Sequence, residues 1–380
     1  MRGDLLIVAA AVAAVLPTTV FAENQGPDIS FAASVSYVYD FNDPDPGAVV
    51  PDSEPNISPG NNALSYANQE GADEAFNIDL VQLGIMGSRG NASYGAKLDF
   101  GDLTPLAGDS LDGDVALQEA YLTYNFGGAA VTAGRFGTPI GYEVLEPWNN
   151  ANISRSRAWV QGQPVNHDGL NVSGVFGNFD FMAGLVNSSV VNDPVANETN
   201  DNKGVVASAG VTFGDAAVSL AGLYSEDTFN DFGFPGNDFD VDSSIVNFIA
   251  SAPAGPLHFA IEGNWFRDSI EKAVNNDKID FWNVALYAGA DIGMTAIDTR
   301  FDYGQVDLTD PDDPFNATVN LETFDVWSAT VTFSWTLVEG MDLRAEYRYD
   351  DFNTDFFVED DGVEDSAHVV QAQLVLMPQL

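Results

Sequence analysis

The stretch Trp327-Ser328-Ala329-Thr330-Val331-Thr332-Phe333-Ser334-Trp335 alternates without a break. Its odd positions are apolar and bulky, and its even positions are small and hydroxylic. A period of two is the signature of a strand with one apolar and one polar face. The pattern returns at Phe31, Ala33, Val35, Tyr37 and Tyr39, and again at Leu257, Phe259, Ile261, Gly263 and Trp265 against His258, Ala260, Glu262 and Asn264. A soluble strand would bury its bulky face, yet no segment reads as a helical layer able to cover so large a sheet. A transmembrane antiparallel β-barrel satisfies both faces, with lipid outside and water inside.

Working outward, sixteen strands are expected, at roughly 29–40, 75–86, 91–100, 115–126, 129–136, 168–176, 179–187, 204–213, 216–224, 243–251, 257–266, 279–288, 294–304, 324–337, 341–350 and 367–377. Lengths near ten suit tilted strands crossing a bilayer. Connections alternate between long and short. The short ones, such as Gly127-Gly128, Gly177-Asn178 and Gly214-Asp215, are glycine-rich because tight hairpins need positive φ. The long ones are acidic, as in Asp43 to Gly60, Asn192 to Asn202 and Asp307 to Asn316. Short periplasmic turns with long external loops, and both termini in the periplasm, are what an outer-membrane barrel predicts. Acidic clusters at Asp310, Asp312, Asp313 and at Glu359, Asp360, Asp361 match no dedicated calcium loop, so they read as solvated loop and no metal or cofactor is expected.

The N-terminal 22 residues read as a signal peptide: Arg2, an apolar run from Leu5 to Leu16, and Val20-Phe21-Ala22 as the cleavage site, leaving 23–380 as the barrel. The run is too short for a membrane-spanning helix. There are no cysteines, which excludes disulfides and thiol chemistry. Asp plus Glu number 57 against 13 Lys plus Arg, a net charge of −44, which argues against nucleic acid as a partner and fits loops bathed in saline water, attraction of cations, or both.

Parity places Asp298, Arg300 and Asp302, and Arg344, Glu346, Arg348 and Asp350, on the inner wall, with Lys97 and Asp99. An Arg or Lys facing lipid near the midplane would cost about 2–4 kcal/mol. The inner wall is therefore expected to be charged and hydrated, and a sixteen-strand barrel is wide enough for an aqueous channel. The connection 137–167 differs from the others. Ile140, Val144, Leu145, Trp148 and Trp159 are apolar anchors that a free external loop does not need. Folded inward, it would set Glu143, Glu146, Arg155 and Arg157 across the lumen as a constriction, with Arg135 at its start.

The run Ala133-Gly134-Arg135-Phe136-Gly137-Thr138-Pro139-Ile140-Gly141, with Glu143, Glu146-Pro147, Asn152-Ile153-Ser154-Arg155-Ser156 and His167-Asp168-Gly169-Leu170, resembles the signature of the OmpL-like β-barrel porin family of bacterial outer membranes. The resemblance implies an outer-membrane porin for ions and small hydrophilic solutes, surrounded by outer-membrane lipid, with room for a homo-oligomer. The ending Met377-Pro378-Gln379-Leu380 departs from the terminal aromatic such barrels usually carry. Two other classes compete. A surface-display or adhesion barrel would act through the acidic loops without transport. A barrel-wall enzyme would need a His beside a nucleophile, and His167, His258 and His368 have none placed by sequence.

Overall fold

The computed structural model describes residues 26–41, 75–104, 115–160, 162–187, 202–230, 238–271, 276–308, 323–353, 357–359 and 362–377. The strands are β1 (Asp28–Asp40), β2 (Ala75–Arg89), β3 (Ala92–Phe100), β4 (Val115–Asn125), β5 (Ala129–Gly137), β6 (Asn166–Phe176), β7 (Phe179–Asn187), β8 (Lys203–Phe213) and β9 (Ala216–Asn230). They continue with β10 (Asp238–Ala254), β11 (Leu257–Glu271), β12 (Asn276–Ile292), β13 (Thr295–Leu308), β14 (Thr323–Val338), β15 (Met341–Phe352), β16 (Phe357–Glu359), β17 (Gly362–Glu364) and β18 (Ser366–Leu376). All but β16 and β17 close into one antiparallel barrel of sixteen strands, sealed where β1 pairs with β18. Closure matters because an open edge would leave a row of unpaired N–H and C=O groups in hydrocarbon.

The hairpin turns fall where glycine allows φ near +60°: Gly90, Gly177, Gly214, Gly255 and Gly293 lie between +59° and +67°. These turns, the start of β1 and the end of β18 share one rim of the barrel. The opening stretch behaves as its alternation demands. On β14, Ser328, Thr330, Thr332 and Ser334 are buried inside, while Phe333 and Trp335 are exposed outside. Outward rings mark one level of the wall: Trp282 packs on Tyr303, Phe301 on Trp327, and Trp327 on Tyr349.

Three features differ from the sequence expectation. β9, β10, β11 and β12 run several residues further toward the loop rim than their apolar alternation does. Beyond the bilayer both faces meet water, so the ladder continues after the hydropathy signal has ended. The last long connection carries a hairpin of its own, β16 with β17. The inner wall is also not charged all round. On β7 to β13 it carries Met182, Val206, Leu223, Ile245, Phe281 and Val306, all buried in one apolar cluster. The expected signal segment 1–22, the acidic loop Asp43 to Gly60, and the aspartates at 310, 312 and 313 lie outside the described residues.

Candidate functional site in the barrel interior

The segment between β5 and β6 has almost no regular structure: a 3-10 turn at Pro147–Asn149 and a helical turn at Arg157–Val160. Buried backbone N–H and C=O groups must nevertheless be paired. Asn150 pairs some of them locally, its amide donating to Val144 O at 2.7 Å and Glu146 O at 2.9 Å and accepting from Val144 N at 2.9 Å. Gly141 adopts φ +97°, and the space a side chain would need is taken by Gln163, whose amide donates to Glu143 O at 2.7 Å.

The rest of the pairing comes from charged residues of the wall. Both carboxylate oxygens of Glu346 accept loop backbone N–H groups, Ile153 at 2.5 Å and Ser154 at 2.9 Å. Arg300 donates to Ser154 O at 2.7 Å and Arg155 O at 3.0 Å. Arg348 donates to Arg155 O at 2.5 Å, and Arg344 to Pro147 O at 2.9 Å and Asn150 O at 3.0 Å. Asp302 accepts from Arg157 N at 3.3 Å, and Glu262 accepts from Tyr142 N at 3.0 Å. Hydrogen bonds with one ionised partner are roughly twice as strong as neutral ones, which suits a segment with few backbone bonds of its own.

Ion pairs complete the network. Arg300 meets Glu143 at 2.7 Å and Asp302 at 2.8 Å, and Arg348 meets Asp350 at 2.7 Å. Glu143 also accepts from Ser156 N at 2.6 Å. Arg155 turns inward to cap Leu145 O at 2.8 Å and Ile153 O at 3.0 Å, with its guanidinium over Trp159. Arg157 lies over the Phe352 ring and 3.5 Å from Asp350. Burial pulls both guanidinium groups down, Arg157 to about 9, with nearby carboxylates opposing the shift; both stay cationic at neutral pH. On the other flank, burial would raise the Glu146 carboxyl. The ammonium of Lys97, 2.8 Å away, outweighs it with help from Gln118 and holds the group down to about 2.

The geometry spans the barrel. β5, from which the segment leaves, and β13, which carries Arg300, are eight strands apart in either direction round the ring of sixteen. The segment therefore crosses the full width of the interior. Leu145, Trp148 and Trp159 pack with Ala32, Leu80 and Val375 of the wall on one side, and Ile140 and Ala158 join the apolar belt on the other.

Of the residues singled out in the sequence, Glu143, Glu146, Arg155, Arg157, Arg300, Asp302, Arg344, Glu346 and Arg348 meet in this network and are buried. Asp298 is inward but separate, paired with His258 at 2.7 Å near the short-turn rim. Arg135 is a correction. It stands opposite Asp168, on the face that carries the exposed Leu170 and Val172, whereas its neighbour Phe136 joins the interior cluster. Alternation from Phe136 puts Arg135 on the outer side of the wall. There it grips Asp168 through two hydrogen bonds of 2.7 and 2.8 Å and donates to Leu117 O at 2.9 Å, a carbonyl beyond the last β4–β5 ladder pair. Glu262, Tyr142, Asn150 and Lys97 were absent from the sequence-derived site. Glu262 and Lys97 were readable as inward by parity, but their partners in the loop were not.

Solved structures similar to this chain are bacterial outer-membrane proteins, among them a porin and a channel. DcaP of Acinetobacter baumannii aligns with a TM-score of 0.57 at 14% identity, covering 94% of this chain and 100% of that one. OmpT of Vibrio cholerae gives 0.56 at 13% identity, covering 94% and 100%. An anion-selective porin from Comamonas acidovorans gives 0.56 at 12% identity, covering 92% and 99%. At these identities the likeness is one of fold. No curated protein matches the sequence significantly. The model of one family spans residues 28–377, nearly the whole barrel, and the chain belongs to that family, described as "Putative beta-barrel porin-2, OmpL-like".

Proposed function

We propose that this outer-membrane barrel is a water-filled pore through which ions and small hydrophilic solutes diffuse passively, with a weak preference for cations. In this reading residues 137–167 are the constriction. The observation that carries it is the crossing segment itself: a sixteen-strand ring is wide enough for an aqueous channel, and the chain narrows it with a strap tied at its far wall by Arg300 and Glu346. The cation preference is supported by the way the arginines are used. Arg300 and Arg348 are matched by Glu143, Asp302 and Asp350, so little positive charge is left over to oppose a chain of net charge −44. Family and fold point to a channel rather than an enzyme. OmpT, one of the similar structures, is described in a trimer form, and homo-oligomeric assembly is part of the proposal.

Purified protein in a planar bilayer tests it. Stable ion-conducting steps support the pore. A silent protein that is folded and inserted supports the second reading, a surface-display barrel without transport. That reading draws on the depth at which the anchoring side chains are buried, with Arg155, Arg157, Arg300 and Arg348 at most 2% exposed.

A further inference from the structure

Water reaches the inner wall unevenly. On β13, β14, β15, β18 and β1 the inward side chains near the strap are buried, Arg300, Ser334, Arg344, Gln373 and Ser34 among them. The strap rests on that wall. Its bonds to Arg300, Arg344, Arg348 and Glu346 lie there, and the Asn152 amide donates to Thr332 Oγ1 at 2.8 Å. On the wall that the strap leaves, inward side chains stay partly open: Lys97 on β3, Glu119 and Tyr121 on β4, Thr132 on β5 and Ser208 on β8.

The charges divide in the same way. Arg300 and Arg348 on the far wall have side chains 0% exposed, whereas Lys97 keeps 30% of its side chain open while holding Glu119 and Glu146 at 2.8 Å. Lys97 thus ties the near flank of the strap and still faces water. Beside it the wall is bare. Gly134 and Gly169 are register partners on β5 and β6, at the inward step between the Thr132–Asn171 and Phe136–His167 pairs, so neither strand sets a side chain into the lumen there. That step lies next to Gly137, where the strap leaves β5.

We infer that solutes pass off centre, between the near flank of the strap and the inner wall of β3 to β8, and not through the arginine network at the far wall. A hydrated solute needs a polar surface that is open to water. On this arc hydroxyl, phenol and ammonium groups are both inward and open. The far wall carries as many polar groups, but they are committed to the backbone and carboxylates of the strap. Lys97 and Glu119 are then the ionised groups that a passing solute meets at the strap. The inference rests on the porin reading and names the route within it.

The test uses the absence of native cysteines. Thr132→Cys on β5 and Ser208→Cys on β8 are made singly on the open wall, and Ser334→Cys on β14 and Val375→Cys on β18 on the buried one. Folded protein is treated with a small cationic methanethiosulfonate. Modification is followed by mass, and conductance is read in a planar bilayer. Burial raises a thiol's pKa, and each unit removes about nine tenths of the reactive thiolate. The expected result is reaction at Thr132→Cys and Ser208→Cys about tenfold faster or more than at the other two, with a smaller conductance step after modification. Reaction at Ser334→Cys or Val375→Cys as fast as at Thr132→Cys overturns the route, as does a step left unchanged by complete modification at both open positions. Those failures leave a conducting protein and strike the route alone, whereas a folded, inserted protein that conducts nothing strikes the porin reading and the route with it.

Discussion

Arg300 on β13 and Glu143 in the crossing segment form an ion pair of 2.7 Å that is almost wholly buried. It ties the segment to the wall farthest from its origin. Removing one partner of a buried pair leaves an uncompensated charge and typically costs 3–5 kcal/mol, whereas removing both often costs far less. Arg300→Met is therefore expected to destabilise the barrel interior more than Arg300→Met combined with Glu143→Leu. Thermal unfolding of the folded state, followed by heat-modifiability on gels, checks the order. Equal stability of the two variants would show that the backbone bonds of Arg300, not the pair, dominate.

Glu346 makes a second and different prediction, because it accepts two successive backbone N–H groups. Glu346→Gln replaces one acceptor oxygen with a donor that faces an N–H. Losing a buried hydrogen bond to a charged group costs about 1.5–3 kcal/mol. The expected outcome is partial release of residues 152–156, read as tryptic cleavage after Arg155 and Arg157 in the folded barrel. Wild-type protein should resist cleavage there. Resistance retained in the variant would mean that Arg300 and Arg348 suffice to hold the strap.

Much of this architecture could be read in the sequence because a membrane barrel writes its fold into alternation. Trp327 to Trp335 fixes both faces of β14, and the glycine turns fix the hairpins. Reading failed where alternation carries no information. On β8 and β9, Val206 and Leu223 point inward yet are as apolar as their outward neighbours, so parity alone could not reveal an apolar inner belt. The motif that opens the constriction puts Arg135 in the lumen, but its strand parity turns it outward, where Asp168 and the Leu117 carbonyl meet the cost of an outward arginine at the wall itself. The anchors of residues 137–167 were legible as apolar and charged types. Their partners were not, because contacts such as Ser154 with Arg300, separated by 146 positions, depend on closure of the ring.

The Lys97–Glu146 link sets a pH window. The Glu146 carboxyl is held at about 2, below its ordinary value of 4.5. A depressed carboxyl contributes stability that is fully present above 4.5 and lost as the pH falls toward 2. The restraint supplied by this pair should therefore be intact from pH 7 to about 5 and weaken below that, with conductance steps that become noisier or larger as the flank of the strap loosens. Lys97→Met removes the cation that outweighs burial, so the same transition should move to higher pH. A pH profile unchanged by Lys97→Met would show that this flank does not restrain the strap.

Selectivity is decided by competition between the chain's net charge and its buried arginines. The net charge of −44 favours cations at the entrance, and the field reaches about 10 Å at 0.1 M salt but only about 3 Å at 1 M. The arginines inside are largely committed: Arg300 and Arg348 to carboxylates, Arg155 and Arg344 to backbone carbonyls. A guanidinium already engaged attracts a passing anion less than a free one. The expected reversal potential across a salt gradient is thus weakly cation-selective at low salt and fades as salt rises. Arg155→Ala with Arg157→Ala should then change the conductance, by loosening the strap, more than it changes the selectivity. A clear anion preference at low salt, abolished by that double substitution, would show that the arginines face the permeating ions after all.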